Sequence, residues 1–277
     1  MTPEIIDGMS NKDYHAHPAL GSTSLKTLAT KTPAHWKWDS EHPRNSDAFD
    51  LGTAAHSLIL ENDTSMFEIV DAANWMTKDA KAAKAAAHAA GRVPLLTKDF
   101  EQVQAMRDAV MAHPLAQAAF TGHVPERSIF WEHESGTRLK TRPDALHTGG
   151  PLGNLIVDLK TTASADPREF GRTAATFGYH IQQAHYQAGL KAAYGEDFDF
   201  LFVLVEKQKP HLVSVIELNS EDVARGADLA ERGVRVYNHC TQTGEWPGYE
   251  SAEPISLPNW ARFQMDDLLL EKEYPIV

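Results

Sequence analysis

The sequence predicts an α/β fold: a mixed central sheet flanked by helices, preceded by a mainly helical N-terminal region. Three observations lead there. Helical spacing dominates before residue 125, with Leu51, Ala55, Leu58 and Ile59 on one face of DLGTAAHSLILE. From Glu126 the pattern changes to the short runs RSIFWEHE, TRLKTRPDAL and NLIVDLKTT, the last nearly continuous and apolar like a strand buried on both faces. A helical stretch is then inserted before two more strand-like runs, FDFLFVLVEKQ and HLVSVIEL.

Element by element, residues 1–50 are polar and irregular, punctuated by Pro18, Pro33 and Pro43, with a short helix over Ser22–Leu28 leading into the Trp-rich TPAHWKW. A helix begins at Asp50. TKDAKAAKAAAHAA over 77–90 reads as a solvated Ala/Lys helix ended by Gly91 and Pro94. Thr97 is expected to cap a helix reaching about Ala119, with Asp99 and Glu101 in the first turn where the helix dipole favours acids. RSIFWEHE and TRLKTRPDAL form a hairpin across Ser135-Gly136, and HTGGPLG turns into NLIVDLKTT. A helix from about Pro167 has its second half at YHIQQAHYQAGLKAAYG. The next hairpin turns near Lys209-Pro210, Ser220 caps a last long helix, and the tail from Thr241 packs over the body. The expected organisation is a single domain spanning the chain, residues 1–277. Within it, residues 1–125 are mainly helical, residues 126–240 form the α/β core and residues 241–277 are the tail.

Composition removes several classes. Hydrophobic residues are 42% and charged residues 23% of 277, ordinary for a globular chain able to bury a core without disulfides. The single Cys240 excludes a disulfide framework, a zinc ribbon and a four-thiolate iron–sulfur cluster. No apolar run is long enough to span a membrane, and the N-terminus lacks a basic start and an apolar h-region, so the expected location is cytoplasmic, with no membrane partner. The net charge of −12 argues against a broad polyanion-binding surface. It leaves room for an acidic exterior around a basic channel.

The chemistry concentrates on two strands. Alternation puts Arg138, Lys140, Arg142 and Asp144 on one face of the first, and Asp158 and Lys160 on one face of the second. If these strands are neighbours, two carboxylates and a lysine meet beside three cations. Acids inside a sheet are costly unless they are paired or bind metal, and a hard divalent cation takes oxygen ligands of this kind. A cross-strand Asp–Lys salt bridge is the alternative.

Pro143-Asp144, thirteen residues, then Asp158-Leu159-Lys160 reproduces the pattern P-D…(D/E)-x-K. Here the sequence resembles the PD-(D/E)xK nuclease superfamily. Gln182 and Tyr186 in YHIQQAHYQAG are four apart on one helix face and look like the Q-x-x-x-Y motif of its RecB-type branch. His56 in GTAAHSLILE looks like that branch's helical histidine. Within the branch, the strings STSLKTL, TPAHWKW, RPDAL and VDLKTT resemble phage-type exonucleases related to the nuclease domain of exodeoxyribonuclease VIII.

The resemblance implies a restriction-endonuclease-like core and a site in which Asp144, Asp158, the Leu159 carbonyl and His56 hold Mg²⁺ or Mn²⁺. The nitrogen ligand is more natural for Mn²⁺. Lys160 would orient or deprotonate the attacking water, and Gln182 and Tyr186 would fix Lys160 and the DNA backbone. Glu126 is a further acid near the start of the sheet, read as structural. Arg138, Lys140 and Arg142 would draw DNA to the metal, or else be edge-strand charges that discourage pairing. Ser24, Lys26, Trp36 and Trp38 would touch a DNA end, with core packing the alternative for the tryptophans. The implied activity is degradation of linear double-stranded DNA from its ends, 5′ to 3′, by a ring-shaped homo-oligomer working with a single-strand annealing protein in a bacterial host. A nuclease acting on single strands or internal sites, and a non-catalytic DNA-binding module on the same fold, are the rival expectations.

Overall fold

The computed structural model describes residues 2–42, 50–61, 63–250 and 254–270. Pro43 and residues 271–277 of the tail lie outside the described residues. The chain starts with an arm made of β1 (Glu4–Ile6) and α1 (Asn11–Ala16), then α2 (Ser22–Thr30) and α3 (Pro33–Glu41). The Trp-rich segment is therefore a helix, with Pro33 at its first turn, where a missing N–H costs nothing. Next come α4 (Asp50–Leu60), β2 (Phe67–Val70), α5 (Lys78–Ala89) and β3 (Val93–Leu96). The parallel β2–β3 pair was not expected from sequence; each strand has four residues, and Pro94 sits in the second.

Two helix starts move by one residue. In α6 (Thr97–Ala112) Thr97 is already helical and the cap position falls on Leu96, which offers no side-chain bond. Pro114 then starts a separate helix, α7 (Pro114–Ala119), because proline cannot supply an interior helical N–H.

The main correction concerns TRLKTRPDAL. After β4 (Val124–Pro125) and β5 (Ser128–Glu132), this run is two strands, β6 (Arg138–Thr141) and β7 (Ala145–Thr148), broken at Arg142-Pro143-Asp144. β6 joins β5 and β1 in one three-stranded sheet, whereas β7 joins another sheet. The second sheet is completed by β8 (Asn154–Thr162), then, after α8 (Pro167–Phe177) and α9 (Tyr179–Tyr194), by β9 (Asp199–Glu206) and β10 (Val213–Ile216). Its order is β10-β9-β8-β7-β4, with β8 and β9 parallel and the other pairs antiparallel, so the sheet is mixed as expected. The long α10 (Ser220–Thr243) is capped by Asn219, whose side chain accepts the Glu221 N–H, and not by Ser220.

Both faces of this sheet are covered. Leu155, Val157 and Leu159 of β8 point into a core with Leu58 of α4 and Val103 and Met106 of α6. Ile156 points the other way, with Phe202 of β9, Ile181 and Leu190 of α9, Val234 of α10 and Leu25 of α2. Ile156, Val157 and Leu159 are wholly buried, each contributing roughly 2 kcal/mol relative to exposure. The period of two then sends Asp158 and Lys160 to the α9 face.

The tail divides. Trp246 stacks on Trp36 at 4.9 Å and meets Tyr237, and the Pro247 carbonyl accepts the Ala34 N–H, so this stretch does cover the body. The final α11 (Asn259–Leu270) does not; Trp260, Phe263, Met265, Leu268 and Leu269 are exposed. Among the described residues, no helix is long and apolar enough to cross a membrane.

Candidate metal centre and active site

Pro143 ends the strand run, and the β7–β8 ladder stops at the Ala145–Val157 pair. The Leu159 N–H just beyond it is taken by a side chain: Asp144 Oδ2 accepts it at 2.7 Å. One strand end thus positions the first carboxylate. The second, Asp158, lies in the middle of the buried strand and is 1% exposed. Its Oδ2 is 2.5 Å from Lys160 Nζ, and its Oδ1 accepts Gln182 Nε2 at 2.6 Å. Gln182 Oε1 accepts Lys160 Nζ at 3.2 Å, closing a triangle of three side chains. Tyr186, one turn further along α9, bonds Gln182 and faces Asp158 and Asp144 electrostatically.

On the opposite side of the strand end, α4 packs Ala54, Ala55, Leu58 and Ile59 into the core. That leaves His56 directed at β8, with Nδ1 3.6 Å from Asp144 Oδ2 and a hydrogen bond to the Leu159 backbone. Glu126 completes the group. Its backbone is left-handed, with φ 49°, unusual for a residue bearing a Cβ, and its N–H donates to the Asp144 carbonyl. One ligand atom each from His56, Glu126 and Asp144 lies within 4.8 Å of the others.

Glu126, read as structural, stands in the cluster. Asp158, read as a metal ligand, contacts Lys160 and Gln182, and its Oδ2, 2.5 Å from the Lys160 ammonium, is a buried oxygen without a hydrogen-bond partner. The φ that turns Glu126 inward depends on the β4–β5 junction, which no spacing rule reveals.

Burial dominates the titration of these groups. It pushes Glu126 up to about 8 and Asp144 to about 6, with the Asp144 charge adding to the effect on Glu126. Asp158 is likewise raised by burial to about 6, Lys160 opposing. His56 is pushed down to about 4 by burial and by the Lys160 charge. Burial acts to lower Lys160, but Asp158 and Asp144 outweigh it and its pKa is raised. In the metal-free protein Lys160 is therefore an ammonium, able to orient water or stabilise anionic oxygen. Buried carboxyls crowded around one point, whose mutual repulsion a cation would relieve, with an imidazole kept neutral, are a donor set suited to a divalent cation. The residues fit such an ion.

A linkage prediction follows for the metal-free protein. A carboxyl whose folded pKa exceeds its unfolded value stabilises fully at low pH and loses that contribution as pH rises to the folded value. Between about 6.5 and 8 Glu126 stays largely protonated in the folded state while its unfolded side chain is ionised, so its contribution falls with pH. The histidines lowered by burial, still titrating near about 6.5 in the unfolded chain, act in the opposite direction. The pH slope of stability should therefore be more negative in the native chain than in Glu126→Gln, in denaturant titrations at pH 6.5, 7.2 and 8. An unchanged slope in Glu126→Gln would refute the assignment.

The cluster opens into a hollow of about 400 Å³ lined by Asn11, Tyr14, His56, Glu126, Asp144 and Tyr186. His56 and Glu126 also border a larger cleft of about 950 Å³. The basic row is not a row. Arg138 is partly exposed, 3.6 Å from Glu4. Lys140 is 7% exposed, with Nζ donating to the Tyr14 and His17 carbonyls at 2.6 and 2.8 Å. Arg142 is 6% exposed, bonding Ser128 Oγ and the Met9 carbonyl and standing 3.5 Å from Glu126. Lys140 and Arg142 hold the N-terminal arm in place because the strand breaks after Thr141. Ser24 lines a second hollow of about 420 Å³ that shares Tyr14 and Tyr186 with the first. Lys26 lies elsewhere, 5.9 Å from the Phe177 ring. Trp36 is packed in the core fringe, and Trp38 is exposed against His42.

Tyr179 was missed in the sequence. Lys160 Nζ sits 4.6 Å from its ring centre. The signal was present: residues 179, 182 and 186 are spaced i, i+3, i+7 on one helix face.

Comparison with known proteins bears on the family and the fold. A solved structure from Eubacterium rectale described as "Putative exonuclease" is 17% identical, covers 90% of this chain and 96% of its own, and superposes with a TM-score of 0.59. At that identity the likeness is one of fold. A phage related exonuclease from Haemophilus somnus 129PT is 12% identical over 84% of this chain and all of its own, with a TM-score of 0.36, too low to carry an argument. No curated protein matches the chain. The family described as "PDDEXK-like domain of unknown function (DUF3799)" matches residues 22–258. The chain belongs to this PDDEXK-like family and has a mixed α/β fold.

Proposed function

We propose that this protein is a divalent-metal-dependent exodeoxyribonuclease that degrades linear double-stranded DNA from its ends, 5′ to 3′, leaving 3′ single strands for recombination by annealing. The observation that carries the reading is the adjacency, across one strand end, of the His56–Glu126–Asp144 cluster and the Asp158–Lys160–Gln182 triangle. The description of the Eubacterium rectale protein as an exonuclease supports the same class by analogy of fold.

Mg²⁺ or Mn²⁺ held by His56, Glu126 and Asp144, with the Leu159 carbonyl and Asp158 close by, would lower the pKa of bound water and offset charge on the scissile phosphate. The protein's own contribution is positional. Lys160 presents a fixed ammonium to water or to a phosphate oxygen, Asp158 and Gln182 hold it there, and Tyr186 braces Gln182. Ser24, on the hollow beyond Tyr186, is placed to meet a strand end, and Arg138 and Lys26 remain candidates for backbone contacts further out. The acidic surface, net −12, confines DNA to such local features.

The test is digestion of linear duplex labelled at the 5′ or 3′ end, with Mg²⁺, Mn²⁺ or EDTA, beside a covalently closed circle. Metal-dependent release of the 5′ label as mononucleotide, with the circle intact, is expected. Cleavage of the circle would make this an endonuclease, and no hydrolysis of any substrate would favour a binding module.

Assembly with further copies in a ring, and with a single-strand annealing protein, belongs to the same proposal. Its support is α11, whose five large apolar side chains stand exposed among the described residues. Phe263→Asp combined with Leu268→Asp should lower the mass measured by light scattering to that of one chain while leaving the fold intact. An unchanged mass would remove α11 from the assembly contact.

A further inference from the structure

We propose that Tyr179 is a positioning residue for Lys160: its ring is a fixed wall that holds the ammonium at the cluster. The inference rests on the nuclease reading for its kinetic consequence and on geometry alone for the placement. A lysine reaches its target through four methylenes, and two polar partners leave such a stem free to pivot. Here the ammonium has Asp158 and Gln182 on one side and the Tyr179 ring face, 4.6 Å from Nζ, on another. A cation over a desolvated ring face is attracted by the ring quadrupole.

The wall itself is immobilised. Tyr179 stacks with Phe177 at 5.7 Å, Phe170 at 5.9 Å and Phe202 at 5.7 Å. Phe202 is the residue of β9 registered directly opposite Asp158. The strand that carries the carboxylate partner of Lys160 is therefore tied to the aromatic stack that carries its ring partner. Gly178 sets the approach: it is left-handed, with φ 71°, ends α8 and begins α9, so that Tyr179 is the first residue of the helix bearing Gln182. Because the contact uses the ring face, the hydroxyl is dispensable. Phenylalanine should serve, and leucine, of similar burial without a quadrupole, should not.

The experiment compares Tyr179→Phe and Tyr179→Leu with the native chain by two readouts. In protein carrying ¹³C-labelled lysine, the Lys160 ε-methylene, identified by its loss in Lys160→Arg, should be shifted upfield by the ring current in the native chain and in Tyr179→Phe, and lie at the ordinary position in Tyr179→Leu. In Mn²⁺-dependent hydrolysis, Tyr179→Leu should lower kcat roughly 10- to 30-fold with KM little changed, and Tyr179→Phe should restore it. An unshifted signal in the native chain overturns the placement whatever the activity. A shifted signal with kcat unchanged in Tyr179→Leu, or with Tyr179→Phe as impaired as Tyr179→Leu, overturns the positioning role. A shifted signal in a native protein that hydrolyses no DNA supports the placement and defeats the nuclease reading instead.

Discussion

Lys160→Ala is expected to lower metal-dependent hydrolysis by about a thousandfold, the largest effect of any single substitution at the site. The ammonium is the cation in contact with Asp158 and also offsets the Asp144 charge, so it has two roles. Catalytically, it presents a fixed positive group where water or a phosphate oxygen must sit. Structurally, it neutralises a carboxylate that is 1% exposed. Removing one partner of a buried pair leaves the other uncompensated, a loss of about 3–5 kcal/mol unless the orphan takes up a proton. Without Lys160, Asp158 keeps the Gln182 amide alone, and its pKa, already raised by burial, should climb further.

The two roles separate by pH. The Lys160→Ala protein should gain stability relative to the native chain as pH falls, because protonated Asp158 no longer needs a counter-charge, whereas activity should not return at any pH. Lys160→Arg, which keeps the charge, should fold normally and remain strongly impaired, since a planar guanidinium cannot occupy the same point between Asp158, Gln182 and the Tyr179 ring. Circular dichroism melts and anisotropy with a labelled duplex check folding and binding. Full activity in Lys160→Ala would place the chemistry elsewhere.

The second large effect concerns stability alone. Gly226→Ala is expected to destabilise the protein by about 3 kcal/mol, against the ordinary helical preference for alanine. A Cβ at Gly226 would stand 2.2 Å from the His180 carbonyl oxygen and 2.5 Å from its carbon, and both are backbone atoms that no rotamer change can move. One face of α10 lies on the first turn of α9 here, while Gly233, seven residues on, lies somewhat less tightly on Leu25 of α2, whose carbonyl oxygen would be 2.6 Å from an added Cβ. The first turn of α9 holds Tyr179 and His180 and leads to Gln182, so the displaced helix should also loosen Lys160. Gly171→Ala is the control. That glycine is exposed in α8 with nothing within 4 Å, and the substitution should stabilise by about 1 kcal/mol. Thermal melts of the three proteins give the sign directly; a stable Gly226→Ala would mean that α10 does not pack this closely.

Much of the site was legible because its signals are local. The apolar run around Asp158 announced a strand buried on both faces, and the alternation within it put Asp158 and Lys160 on one side. The spacing of Gln182 and Tyr186 put both on one helix face, and Gly91 and the Ser135-Gly136 turn ended or joined elements where expected. Other readings failed where the outcome depended on a distant segment. Arg138, Lys140 and Arg142 alternate in sequence, yet the strand breaks before Pro143, and Lys140 and Arg142 are drawn to the backbone of residues 9–17. Glu126 carried no motif, and its place beside Asp144 comes from a left-handed turn between two strands that belong to different sheets.

The sequence by itself determined the fold class, the central strand, the helix carrying Gln182 and Tyr186, and the identity of Asp144, Asp158 and Lys160 as a related set. Side-chain periodicity is a property of short stretches and can be read before the chain is folded. Only the tertiary structure decided that Glu126 joins His56 and Asp144, that Asp158 turns to Lys160 and Gln182, and that Tyr179 faces the lysine. Those choices depend on which of several acids lies nearest a shared point once two sheets and α9 are packed. Distances of a few ångströms between segments far apart in the chain set that outcome, and no one-dimensional pattern records them.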